Sequence, residues 1–187
     1  MRTTLAVDEN IAKIFSDTVK KKNMIIFSVT NEAIKLATEL LKEGIEPAEA
    51  LTFIKLMKVM DSIDVIPIPG YLNEEILNKL YKIEKDELYD TFYKTGKEVG
   101  GVFKAFMPSL MDVLNLARSL TKFFPLKKIE VETKSNKLRL LVAGAGKSIV
   151  TTNCVLYFVK GFLDSYGAKV IEEKVSTGVL DLTFIPK

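Results

Sequence analysis

The chain has 187 residues, of which 48% are hydrophobic and 27% charged, with a formal net charge of +3. Since it contains no histidine and only one cysteine, Cys154, the usual zinc sites, histidine-based catalysis and an intrachain disulfide are excluded. The longest apolar runs are too short to span a membrane and no secretion signal is present, so we expect a cytoplasmic protein without membrane contact, metal or cofactor. Its lysine-, glutamate- and isoleucine-rich usage is typical of thermophiles, or of a biased nucleotide composition.

The N-terminal residues 2–8 alternate between two faces, which is the period of a short β-strand. One face carries Thr3, Leu5 and Val7, and the other carries Arg2, Thr4 and Ala6. Asp8 then predicts the N-cap of a first helix. This helix closes with Lys20, Lys21 and Lys22 and stops at Asn23. A second helix is predicted to start near Ser28 and to stop at Gly44.

The middle of the chain is predicted to be helical. Pro47 opens a third helix, residues 64–72 contain two prolines and predict an extended edge segment or loop, and helical spacing then continues from 73 to about 124. We expect interruptions near Gly96, at Gly100 and Gly101, and at Pro108. The pair Gly100 and Gly101 equally fits a close helix crossing, and the close approach of a ligand to the backbone is the less favoured alternative. The spacing of the nearby aromatic residues favours core positions over base stacking. These residues are Tyr81, Tyr89, Phe92 and Tyr93.

The last third of the chain predicts two pairs of strands around one helix. Two strands are expected from 127 to 144, joined by a turn near Ser135 and Asn136, and two more around the turn at 176–178. The helix between them is expected to end at Gly167. In the last strand Leu180, Leu182 and Phe184 face inward, and Asp181 and Thr183 face outward. The predicted class is α+β, with a strand-strand-helix-strand-strand unit at the C-terminus.

The stretch GAGKS, at 144–148, is similar to a phosphate-binding loop. However, Leu141 stands where such a loop needs its first glycine, and only about 40 residues follow, too few for a nucleotide-hydrolase domain. A strand-to-helix turn with Ser148 as the helix cap is favoured. A weak anion site at the helix N-terminus stays open, with an enzyme using it as the least favoured alternative. Its residues would be Gly144, Gly146, Lys147 and Ser148.

A short strand followed by two short helices cannot close a hydrophobic core alone, which predicts that two copies share one. Here the stretch RTTLAVDENIAKIF…KKKNMIIFSVTNEAI resembles the ribbon-helix-helix family of DNA-binding proteins, over about residues 1–44. The resemblance implies an intertwined homodimer whose paired strands place Arg2, Thr4 and Ala6 in the major groove. It also implies a phosphate contact near Phe27 and Ser28. The lysines 20–22 fit a further phosphate contact or an ordinary helix end.

These features together predict a non-enzymatic, homodimeric DNA-binding protein that regulates transcription. Its dimerisation and DNA-binding domain would span 1–44. An α+β domain at 45–187, helical over 47–124 and sheet-containing over 127–187, would sense an unknown small-molecule effector or support assembly. The alternative is a dimeric structural or small-molecule-binding protein that has lost its contact with double-stranded DNA.

Overall fold

A computed structural model describes residues 4–119, 121 and 126–186. Its elements in chain order are α1 (Glu9–Lys21), α2 (Ile26–Lys42), α3 (Pro47–Asp61), α4 (Gly70–Ile83), α5 (Lys85–Phe106), α6 (Leu110–Ser119), β1 (Lys128–Lys134), β2 (Lys137–Ala143), α7 (Ile149–Ser165), β3 (Lys169–Ser176) and β4 (Val179–Ile185). The predicted α+β class and the C-terminal order of strands around one helix are confirmed. No helix in the described ranges combines the length and apolarity that crossing a membrane requires.

The chain divides into two compact units, Met1–Thr52 and Phe53–Lys187. The predicted boundary after residue 44 stays a prediction. In the first unit, the Asp8 carboxylate accepts hydrogen bonds from the amides of Asn10 and Ile11, at 2.9 and 3.2 Å, and so caps α1 as expected. Asn23 takes a φ of 55° after the last turn of α1, which ends the helix where the sequence predicts.

The predicted N-terminal strand is wrong for the residues that the structure describes. Residues 4–8 belong to no strand and are exposed, and the first element of the described chain is the helix α1. A short alternating segment forms a strand only where a partner satisfies its backbone groups, and no strand pairs with residues 4–8 here. The ribbon-helix-helix arrangement, and with it the homodimer joined through that strand, is therefore a wrong prediction.

In the second unit, α5 runs without interruption through Gly96, Gly100 and Gly101, which the sequence predicted as break points. The helix ends at Phe106, and residues 107–109 form the break that the sequence predicts at Pro108. Two glycines of α5 lie instead against α7. A Cβ atom at Gly96 would collide with the carbonyl oxygen of Phe158, and one at Gly100 with the side chain of Ser165. The alternative prediction of a close helix crossing is thus correct for Gly100, whereas Gly101 faces open space.

The four strands form one antiparallel sheet in the order β1-β2-β4-β3. Alternation along the central strands turns Leu138, Leu140 and Val142 of β2 and Leu180, Leu182 and Phe184 of β4 to one buried face. Residues of α6 and α7 complete this core, among them Leu110, Leu114, Leu156 and Leu163. The inward face that the sequence predicted for β4 is confirmed, because Leu180, Leu182 and Phe184 are each 0% exposed.

A second, smaller core contains Leu77 of α4, Leu88 and Tyr89 of α5, and Val150 and Cys154 of α7. The rings of Tyr89 and Tyr157 stack with their centroids 4.9 Å apart. Tyr81 and Phe92 pack against the same cluster, as the sequence predicts for these aromatic residues, whereas Tyr93 donates its hydroxyl to Asp164 at 3.0 Å. The second core therefore packs α4 and α5 against α7, the helix that follows the turn at 144–148.

Candidate functional site

The face of the sheet opposite the core carries a cleft of about 320 Å³, which we call the open-face cleft. Alternation along the strands sends the residues between the buried leucines to this face, so Arg139 of β2 and Asp181 and Thr183 of β4 point away from the core. The cleft is lined by Lys134, Lys137, Leu138, Arg139, Glu172, Lys174, Asp181 and Thr183. It therefore crosses all four strands of the sheet.

The charges of the open-face cleft are unequal. Four cationic residues, Lys134, Lys137, Arg139 and Lys174, line it together with only two carboxylates, those of Glu172 and Asp181. The lining thus carries a formal charge of +2 (four minus two) at neutral pH. A concave surface with an excess of one sign raises the local concentration of ligands of the opposite sign. This composition favours a negatively charged ligand.

Arg139 and Asp181 form the best-defined ion pair of the cleft. The guanidinium donates from Nε to Oδ1 and from Nη2 to Oδ2, each at 2.8 Å, and Nη1 also lies 3.4 Å from Glu132 Oε2. These hydrogen bonds raise the pKa of Arg139 above its ordinary value and lower the pKa of Asp181. Both groups thus stay charged at neutral pH, and most donors of Arg139 are already occupied by the protein.

Lys137 and Lys174 differ from Arg139, because neither forms an ion pair with a described residue. Glu172 likewise forms none, and it follows directly after an irregularity in β3, where the pairing with β4 passes from Val170 to Glu172. Such a bulge redirects the side chains that follow it. Lys137, Lys174 and Glu172, which form no ion pair with a described residue, are the charged groups of the cleft that remain available to a ligand.

The predicted weak anion site lies in the turn between β2 and α7. Gly144 and Gly146 take φ values of 88° and 123°, and Ser148 caps α7 by accepting a hydrogen bond from the Thr151 amide at 3.2 Å. The Glu74 carboxylate of α4 accepts hydrogen bonds from the Lys147 amide at 2.7 Å and from the Thr151 hydroxyl at 2.8 Å. A carboxylate of the chain itself therefore lies at this turn.

Burial raises the pKa of Glu74, but the hydrogen bonds from Lys147 and Thr151 outweigh it and leave this pKa below the ordinary value. The turn is also tied to the hairpin between β3 and β4. Gly178 donates its amide to the Thr152 hydroxyl at 2.8 Å, and its carbonyl accepts from the amides of Gly144 and Ala145. The turn thus has a clear structural role, and the anion site stays a prediction.

The residues predicted to read DNA are not brought together on a strand. Arg2 lies outside the described residues, and Thr4 and Ala6 belong to an exposed segment without regular structure. Phe27 and Ser28 lie in the first turn of α2, which begins at Ile26 and not near Ser28. The lysines 20–22 form the end of α1, where cations suit the helix dipole.

Sequence reasoning missed the open-face cleft. Its signal was present in the alternation of KLRLLVA and VLDLTFI, which sends Arg139 and Asp181 to the same face once the two strands are paired. Nothing in the sequence showed that β2 and β4 are neighbours. Within the described ranges, no cluster of three or more metal-ligating side chains is present.

No family model and no curated protein matches the chain. A solved structure of a Tt H-NOX variant with two substitutions to phenylalanine is similar, with 14% sequence identity and a TM-score of 0.44, over 70% of this chain and 83% of that one. A similarity of this degree carries no conclusion about activity, cofactor or partner. The described chain begins with helix α1, and residues 4–8 form no strand that could enter a DNA groove. The predicted DNA-binding regulator, and its partner DNA, is therefore a wrong prediction.

Proposed function

We propose that this protein binds a small molecule in the open-face cleft and does not catalyse a reaction. This proposal takes up the small-molecule-binding alternative that was predicted from the sequence. The observation that carries the proposal is the cleft itself, which combines a volume of about 320 Å³ with polar groups from four strands. Small-molecule sites commonly have volumes of roughly 300–1,000 Å³, and the charged lining of this cleft suits a polar, charged ligand.

The fixed Arg139–Asp181 pair supports binding, because it gives the floor of the cleft a rigid geometry before any ligand arrives. Preorganised groups lose little entropy on binding. Catalysis has less support, since the chain contains no histidine, the side chain that most often transfers protons in enzymes. The predicted absence of enzyme activity is therefore kept as part of the proposal.

A screen of small organic acids, amines and neutral compounds by ligand-observed NMR tests the proposal. Thr183→Trp fills the cleft from β4 without touching the core face, and it should weaken the binding of any hit by about tenfold or more. Thr95→Trp is the matched control. Thr95 is exposed on α5 and does not line the cleft, so this variant should keep the wild-type affinity. Hits that bind both variants equally well would place the site elsewhere.

A further inference from the structure

The two ends of the open-face cleft differ in charge. Lys134 and Lys137 are direct cross-strand partners at the end of β1 and β2, next to the turn at Ser135 and Asn136. Like charges directly opposite each other destabilise a sheet. The nearest carboxylate to this pair, that of Glu132, lies 3.8 Å from the Lys134 ammonium group and is shared with Arg139. This end therefore has more positive charge than the protein neutralises.

The other end of the cleft is formed by β3. Lys174 is the cross-strand partner of Asp181, so its charge lies beside a carboxylate. Glu172 is the partner of Thr183, is exposed, and forms no ion pair with a described residue. An unpaired carboxylate beside a hydroxyl is suited to a ligand group that donates hydrogen bonds. The β3 end is thus the acceptor end of the cleft.

On this basis we infer that the ligand is a small organic anion, whose carboxylate or phosphate lies between Lys134 and Lys137 and whose hydrogen-bond-donating end lies at Glu172. This inference rests on the proposed function. Strand β4 separates β2 from β3, and Glu172 is level with Arg139, two residues along β2 from Lys137. The two ends are therefore at least two strand spacings, about 10 Å, apart across the sheet and about 7 Å apart along the strands. The ligand is therefore elongated. In this arrangement Arg139 positions Glu132 and Asp181 between the two ends and is not the main anion contact.

Three compounds of equal chain length test the inference: ε-aminohexanoate, which has both groups, hexanoate, which has only the acid, and hexylamine, which has only the donor. Titrations followed by amide chemical shifts should show that ε-aminohexanoate binds tightest and shifts the amides of residues 134–138. Lys134→Gln/Lys137→Gln should weaken both acids by about tenfold and leave hexylamine unchanged. Glu172→Gln should reduce ε-aminohexanoate to the affinity of hexanoate.

The matched control is Lys20→Gln/Lys21→Gln, which removes the same charge from the exposed end of α1. If it weakens the acids as much as the cleft variant does, the acids bind by general electrostatic attraction and the inference is overturned. The same follows if hexylamine binds as well as ε-aminohexanoate. Should a neutral or cationic hit of the screen lose affinity in Thr183→Trp, the proposed function stands and only the ligand class is wrong. If no compound binds at the cleft, both fail.

Discussion

Arg139 and Asp181 are 42 residues apart in the chain and are joined by two parallel hydrogen bonds of 2.8 Å. The pair connects β2 to β4, the two central strands of the sheet, on the face that the core does not cover. A planar guanidinium and a carboxylate in this bidentate geometry have little freedom to separate. The pair therefore fixes the floor of the open-face cleft, and the first prediction concerns its titration.

Asp181→Asn should make the free energy of unfolding less dependent on pH in the acid range. Hydrogen bonds from Arg139 lower the pKa of Asp181 in the folded protein, so the pair stabilises the fold above the unfolded-state pKa of about 4 and loses this contribution as the pH falls through the lower folded value. Urea unfolding between pH 6 and pH 2 measures the effect. Arg139→Gln should give a similarly shallow profile, and the double variant should add nothing further. Additive losses would show that the two side chains act independently.

Gly96→Ala and Gly161→Ala should each destabilise the protein by about 2 kcal/mol or more, because the added methyl groups would collide with the backbone carbonyls of Phe158 and Tyr93. Backbone atoms of two packed helices cannot move aside as a side-chain end can. Gly101→Ala is the matched control in α5. Nothing lies within 4 Å of its added Cβ, so it should stabilise the helix by about 0.5–1 kcal/mol. If denaturant titrations give the same free energy of unfolding for all three variants, the close helix crossing is contradicted.

Glu74→Ala should destabilise the contact between α4 and the turn before α7 by about 1–2 kcal/mol, since it removes the acceptor of the Lys147 amide and of the Thr151 hydroxyl. Hydrogen exchange of the Lys147 amide should become faster in this variant. Glu75→Ala, one residue further along α4, removes only an exposed pair with Lys79 and should change neither quantity by much. An unchanged Lys147 amide in Glu74→Ala would contradict the hydrogen bond.

Cys154 should not react with thiol reagents in the native protein. The side chain is 0% exposed, and burial raises the pKa of its thiol to about 11, so the reactive thiolate is scarce at neutral pH. Because it is the only cysteine, its labelling rate should follow the opening of the second core and rise by orders of magnitude in denaturant. Rapid labelling without denaturant would show that α7 opens locally.

The C-terminal unit could be predicted because its signals are local. Strict alternation in β2 and β4 separates core from surface residues, and the glycines at 167 and 178 take positive φ values where the chain turns. The N-terminal strand could not be judged in this way. Alternation over residues 2–8 indicates only which side chains a strand would bury. It does not indicate whether a partner strand exists.

The open-face cleft depends on strand order and register, which composition does not reveal. Arg139 contacts Asp181 only because β4 lies beside β2, and Glu172 reaches the same face only because β3 is irregular after Val170. The glycines of α5 show the same limit. Helix propensity predicted breaks at Gly96 and Gly100, whereas close packing on α7 accounts for both residues within a continuous helix.

The contact of Glu74 with the Lys147 amide also has a consequence for anions in solution. A carboxylate on the same chain competes at an effective concentration that for short tethers reaches about the millimolar range or more. An external phosphate would first have to displace this tethered group, at the cost of its hydrogen bonds to Lys147 and Thr151. Dilute phosphate should therefore leave the turn before α7 unchanged, and only an anion that displaces the Glu74 carboxylate would bind there.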